Sequence, residues 1–231
     1  MRRQYDTGFS LIEMVVTVAI LSIATATTLP IITRNRWQSE VDQYALQLET
    51  GLYGLRAKLG AKKTSCTIDF PTTYTFSPPE ELIEFSQKSQ NNQTSFLCCD
   101  STIVVAKETN GQGSDCSHPG NKISVLTGNP LDNLRLVQLE SSSASKSVQV
   151  AVSRTDFGFT PPGTTANAGT LTFLLCHNRA LSENNSTQCV ESQNRLNIRC
   201  VQIDGTGGIS RGRWILDSPS SVVSSGFCQT D

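Results

Sequence analysis

Near the start of the sequence one side chain stands out of place. Glu13 is the only charged residue from Ile12 to Thr33, inside the otherwise apolar and small-residue run "GFSLIEMVVTVAILSIATATTLP" of residues 8 to 30. A charge at bilayer depth costs about 2.5–3.5 kcal/mol on insertion scales. A carboxylate in such surroundings needs a cationic partner, and pairing offsets the desolvation of both charges.

Three other groups of residues have chemistry to offer. The eight cysteines, Cys66, Cys98, Cys99, Cys116, Cys176, Cys189, Cys200 and Cys228, are even in number and all lie outside the apolar run. Behind an export signal they read as a disulfide framework in an oxidising compartment. Cys176 and Cys189 are spaced as a staple across one loop, and adjacent Cys98 and Cys99 are expected to take different partners. Cys98, Cys99 and Cys116 with His118 offer thiolate and imidazole donors for zinc. Adjacent cysteines make poor tetrahedral ligands and no Cys-x-x-Cys occurs, so the expectation is no metal and no cofactor. His177 is the only other histidine; no Gly-x-Ser-x-Gly elbow, His-Glu-x-x-His pair or phosphate loop appears, so no catalytic residue is assigned. The Gly205–Gly208 cluster reads as a hairpin turn, with no helix pattern after it.

The last group is basic. Arg211 and Arg213 are two apart and share a strand face; Arg195 and Arg199 are expected to do the same, with Arg179 near them. Such a patch can hold phosphates by bidentate hydrogen bonds, and Trp214 could stack a base, although from the opposite face. The bland reading is a solvated face balanced by Glu183, Glu191 and Asp204. With a net charge of −1, bulk attraction to nucleic acid is excluded and only a local patch would serve.

These residues must be positioned by a small set of elements. The apolar run is long enough to cross a membrane, which needs about 20 residues, and Arg2 and Arg3 hold the start of the chain on the cytoplasmic side. A secretory signal cleaved near Ala24-Thr25-Ala26 and a plain anchor are the two simpler readings. Neither accounts for Glu13.

A third reading does. Gly8-Phe9-Ser10-Leu11-Ile12-Glu13, after a short basic leader and before an apolar stretch, resembles the signal of type IV prepilins and pseudopilins. The resemblance implies cleavage by a prepilin peptidase between Gly8 and Phe9 and methylation of the new Phe9 amine. It implies that Glu13 pairs with the Phe9 amine of a neighbouring subunit, and that Pro30 bends or locally melts the helix. It further implies an inner-membrane location with a single pass, a cytoplasmic start and an external head. The partners implied are other pilins in a helical filament and an inner-membrane assembly platform.

Beyond the run, Trp37, Val41, Tyr44, Ala45, Leu48, Leu52, Leu55 and Leu59 recur at steps of three and four, one face of an α-helix. Gly60 stands where a C-cap glycine would end it, followed by Lys62 and Lys63. The division expected is a leader over 1–8, a membrane or filament-core helix over 9–32, an amphipathic helix over 33–60 and a disulfide-braced head over 61–231. Strand-like runs at 123–126, 134–139, 148–152, 171–176, 196–203 and 209–216 predict an antiparallel sheet. Hairpins are expected at Asp204–Gly208 and around "HNRALSENNSTQ"; the tract "SSSASKS" at 141–147 reads as a flexible loop. The fold class is therefore α+β, a long helix on a β-rich head.

The head also resembles the FimT/GspH-like branch of pilins, through a Phe-x-x-x-Gly turn at Phe159 and Gly163 and a final hairpin with Arg199 and Gly205 or Gly208. That resemblance implies a minor pilin or pseudopilin, of a pilus or a type II secretion filament. Its alternative implication is DNA binding for uptake, through Arg195, Arg199, Arg211 and Arg213. The cysteine-bearing insert from Cys66 to Cys116 and the loop 176–189 depart from the branch. An anchored or secreted hydrolase is the remaining rival.

Overall fold

The computed structural model describes residues 10–62, 64–83, 95–100, 143–160, 164–165, 169–183, 185–190, 195–217 and 223–230. The chain divides into two units, residues 1–37 and 38–231. Helix α1, Leu11–Lys62, begins in the first and ends in the second.

Within the first unit the helix is apolar on every side from Met14 to Ile32, before the exposed Arg34, Asn35 and Arg36. Leu11, Met14, Val15, Val18, Leu21, Ile23, Leu29 and Ile32 are all exposed, so no face is spent on an internal core. Its hydroxyls are all turned back on the helix: Thr17 donates to the Met14 carbonyl at 2.9 Å, Ser22 to Val18 at 2.7 Å and Thr28 to Ala24 at 2.9 Å. Polar atoms satisfied within the helix carry little desolvation cost into an apolar medium. Pro30 neither ends nor interrupts the helical assignment. It removes one backbone donor, and the expected local melting is not seen.

In the second unit the same helix becomes one-sided. Val41, Tyr44, Ala45, Leu48, Leu52 and Leu55 are buried in one cluster with Ile68, Phe70, Phe157, Phe159, Phe173, Val201 and Ile203 from the strands. Full burial stabilises by about 1.5–3 kcal/mol for a side chain of leucine size. That stripe, more than helix propensity, holds the amphipathic half in place. Gly60 lies inside the helix rather than capping it, because α1 continues to Lys62.

Two antiparallel sheets complete the unit. One has four strands in the order β2 (Ser95–Asp100), β1 (Thr64–Asp69), β4 (Asp156–Thr160), β5 (Thr164–Thr165). The other has five: β3 (Val148–Val152), β6 (Leu171–His177), β7 (Arg199–Ile203), β8 (Ile209–Leu216) and β9 (Gly226–Thr230). Strands 148–152, 171–177 and 209–216 stand where the alternation of residues predicts them. The expected strand at 196–203 starts only at Arg199. Strands β1, β2, β4, β5 and β9 had no distinct signal, and the runs at 123–126 and 134–139 lie outside the described residues.

Three local readings change. After the short helix α2 (Pro79–Leu82), the tract at 141–147 contains another, α3 (Ser143–Ser147), not a loop, because Ala144 and Ser145 are buried. Phe159 sits within β4, edge-on to Phe157 at 5.0 Å, so it is a core residue and not a turn residue; Gly163 lies outside the described residues. The β7–β8 turn forms as expected at Asp204–Gly208, where Gly207 has a φ of 82° that favours glycine. The second expected hairpin is reduced to a bridge between Leu181 and Cys189.

Candidate functional site

The apolar segment and the basic hairpin are the two candidate sites. Gly8 and Phe9 lie outside the described residues; the segment is seen from Ser10 onward. Ser10 precedes the first helical residue and accepts, through Oγ, the Glu13 backbone N–H at 3.2 Å. The Ser10-x-x-Glu13 spacing is that of a capping box, a helix-start signal present in the sequence beside the prepilin-like pattern. It supplies a local reason for an acid at this position: a carboxylate in the first turn interacts favourably with the helix dipole, by about 0.3–1 kcal/mol. Against a membrane cost of about 2.5–3.5 kcal/mol, that leaves a shortfall. Capping explains where the helix begins, and the larger part of the Glu13 cost still calls for a cation. Glu13 lies in the first turn of α1, two residues and so about 3 Å along the axis beyond Leu11 at a rise of 1.5 Å per residue.

The hairpin is organised otherwise than expected. Register sets Arg199 opposite Arg213 and Val201 opposite Arg211. Opposed residues share a face, so Arg199, Arg211 and Arg213 lie on the side that also carries buried Val201, Ile203 and Ile209, the side covered by α1. Arg199 Nε donates to Asp42 Oδ1 at 2.6 Å, and Arg211 Nε lies 3.4 Å from Glu49 Oε2. Asp42 and Glu49 are seven residues apart, two turns along one flank of the helix, which is the signal that would have found them. The expected counter-charges were different ones. Asp204 instead caps its own turn, with Oδ1 accepting from Thr206 N–H at 2.8 Å, Thr206 Oγ1 at 2.6 Å and Gly208 N–H at 2.8 Å. The Thr206 hydroxyl and the Gly208 amide hold its carboxyl below the usual aspartate range. Glu183 is exposed and Glu191 lies outside the described residues.

Arg195 does not share a strand face with Arg199. It stands in a turn at φ 51°, exposed, before β7 begins. Arg179 is in the 3-10 turn Asn178–Ala180, also exposed. Trp214 is only 3 % exposed and its Nε1 donates to the Val223 carbonyl at 3.1 Å, so its ring is core and no stacking platform.

Further contacts join helix to head. Tyr53 donates its hydroxyl to the Ile209 carbonyl at 2.9 Å, and Arg56 donates to the Gly207 carbonyl at 2.8 Å. Glu40 accepts from the Ser147 hydroxyl at 2.6 Å and lies 3.5 Å from His177 Nε2, while His177 Nδ1 accepts from the Arg179 N–H at 3.0 Å. Burial of His177 holds its imidazole below the usual histidine value, against a smaller opposing pull from Glu40.

The disulfide framework is seen in two bonds. Cys176 pairs with Cys189, the expected loop staple, and Cys200 pairs with Cys228, which ties β7 to β9. Gly212, opposite both Cys200 and Thr230, makes the second bond feasible: a Cβ there would collide with the backbone carbonyl of Gln229. Cys66 and Cys98 are opposed in the β1–β2 register; Cys116 and His118 lie outside the described residues. Among the described residues no three metal-ligating side chains converge.

Comparison with known proteins places residues 3–29 in the family model described as the prokaryotic N-terminal methylation motif. The match takes in part of the short basic leader and all but the last residue of the apolar run. No curated protein matches the chain. Among solved structures, the type IV minor pilin FimU of Pseudomonas aeruginosa (strain PAO1) is similar at 14 % identity, over 83 % of this chain and 96 % of that one, with a TM-score of 0.37.

Proposed function

We propose that the protein is a structural subunit, a minor pilin or pseudopilin, of a type IV pilus or type II secretion-like filament. In this reading a prepilin peptidase cleaves after Gly8, Phe9 is methylated, and residues 9–32 serve first as a membrane anchor and then as filament core. The observation that carries it is the methylation signal at 3–29 coincident with a helix that is apolar all round, long enough to span a bilayer and interrupted by one acid. A helix with every apolar face outward needs lipid or other helices around it. Inside a filament, Glu13 accepts the Phe9 amine of an adjacent copy, which covers the shortfall that capping leaves. The subunit does no chemistry of its own. Its partners are the peptidase, other pilins and an inner-membrane assembly platform.

The geometry favours this over a DNA receptor. Arg199 and Arg211 have carboxylate partners on α1 and face the helix-covered side of the sheet, which leaves the four arginines without a common open surface.

Mass spectrometry of the mature start of the chain tests the proposal. An N-methylated Phe9 is expected, and an intact leader or a start at Thr27 overturns it. Glu13→Gln separates the two roles of the acid, since glutamine at that position keeps the capping-box pattern but carries no charge. Filament incorporation should fall with Glu13→Gln nearly as far as with Glu13→Ala. Incorporation kept in Glu13→Gln and lost only in Glu13→Ala would show that capping is the whole role of the residue, and unchanged incorporation of both would remove Glu13 from assembly.

A further inference from the structure

The loop between Leu181 and Cys189 carries residues that the filament reading leaves unused. Its sequence Glu183-Asn184-Asn185-Ser186-Thr187 contains two overlapping Asn-x-Ser/Thr acceptor patterns, led by Asn184 and by Asn185. By itself the pattern is not enough, because an acceptor triplet must also stand on an accessible surface loop. Here the second triplet is exposed along its whole length: Asn185, Ser186 and Thr187 all face solvent.

The described residues of the loop are also tied down at several points. Cys176 bonds to Cys189 at its far end, Leu181 bridges Cys189, and the Thr187 carbonyl accepts the Phe76 N–H at 2.9 Å. Within it, Asn185 Oδ1 accepts from the Thr187 N–H at 3.0 Å and from the Thr187 hydroxyl at 2.7 Å. Both donors therefore engage the oxygen end of the carboxamide, and Nδ2 makes no hydrogen bond among the described residues. The third residue of the triplet is thus bound to the group that would react. Hydrogen bonds drawn onto Oδ1 withdraw electron density from the amide and make its N–H easier to deprotonate, which is the difficult part of using a carboxamide as a nucleophile.

We propose that Asn185 is an N-glycosylation site, displayed on a stapled loop of the head. The donor is a lipid-pyrophosphate-linked oligosaccharide. Nδ2 forms a bond to the anomeric carbon, the bond from that carbon to the pyrophosphate oxygen breaks, and the electron pair leaves with the lipid pyrophosphate. One Nδ2 proton passes to a base on the transferase, and nothing is oxidised or reduced. The glycan would add a bulky, hydrated group beside the Cys176–Cys189 staple. This inference rests on export of the head, since donor, transferase and disulfide chemistry share the oxidising side of the membrane.

The test is peptide mapping, without reduction, of the full chain purified from the cells that make it, with fragmentation that retains side-chain groups. The expected result is a glycan on Asn185 in protein whose Cys176–Cys189 bond is formed. The glycan should disappear in Asn185→Gln and in Thr187→Ala and persist in Thr187→Ser, with the disulfide intact in all three. An intact disulfide with bare Asn185, or a glycan on Asn184 alone, overturns the site while leaving export standing. Free thiols at Cys176 and Cys189 would overturn export, and the site with it.

Discussion

Two single residues show how a charge can be misread when only its neighbours in sequence are considered. Glu13 has a local role as the acid of a helix first turn, yet its dipole interaction covers less than half of the membrane cost, and the proposed pairing with the Phe9 amine of a neighbouring copy would cover the remainder. Arg211 reads in sequence as an open cation and stands in the structure 3.4 Å from Glu49. A half-buried pair of this kind contributes modestly, but reversing one member sets like charges together. Arg211→Glu should therefore destabilise the head by roughly 1–2 kcal/mol, read by urea unfolding of the full chain in detergent. Adding Glu49→Arg should recover at least about 0.5 kcal/mol of that loss. If Arg211→Glu unfolds like the parent but loses salt-sensitive DNA binding, the arginine is open and the receptor reading returns.

At the scale of elements, the stripe was legible from Val41 through Tyr44, Ala45, Leu48 and Leu52 to Leu55, since a 3.6-residue period is imposed by the helix itself and needs no partner to be seen; Trp37 is only half-buried, and the Leu59 side chain lies outside those described. Its weight can be measured. Leu48 is fully buried, whereas Leu46, two residues earlier, is 45 % exposed. Leu48→Ala should cost about 2–5 kcal/mol, and Leu46→Ala should stay within about 0.5 kcal/mol of the parent; equal losses would mean that the helix does not pack on this face. The strands were read less completely. Central strands such as β6, buried at all seven positions, announce themselves as apolar runs. Edge strands such as β9, with one apolar residue exposed at Phe227, do not, because their pairing depends on a neighbour far away in sequence.

Across the whole molecule, the contacts at Glu40 join α1, α3 and β6 through Ser147 and His177. Burial lowers the His177 value, so in the acid range the unfolded chain takes up a proton more readily than the folded one. Stability from this residue is fully present above its ordinary value near 6.5 and is lost as pH falls below that, towards the lowered folded value. The unfolding midpoint of the full chain should drop between about pH 7 and 5, and the drop should be smaller in His177→Asn, whose side-chain oxygen can still accept the Arg179 N–H. An identical pH profile in the variant would remove His177 from the account.

What the sequence alone determined is the part of the protein governed by composition and short-range period. The apolar run with its single acid, the leader pattern ending at Gly8, the helix stripe and the Asp204–Gly208 turn all follow from residues within a few positions of one another, and the loop staple Cys176–Cys189 spans only thirteen. Only the tertiary structure decided which distant groups meet: Asp42 with Arg199, Glu49 with Arg211, Cys200 with Cys228 across Gly212, and Glu40 with His177. Charge pairing and disulfide bonding depend on separation in space, and strand register, which sets that separation, is a property of two segments at once and is written in neither of them.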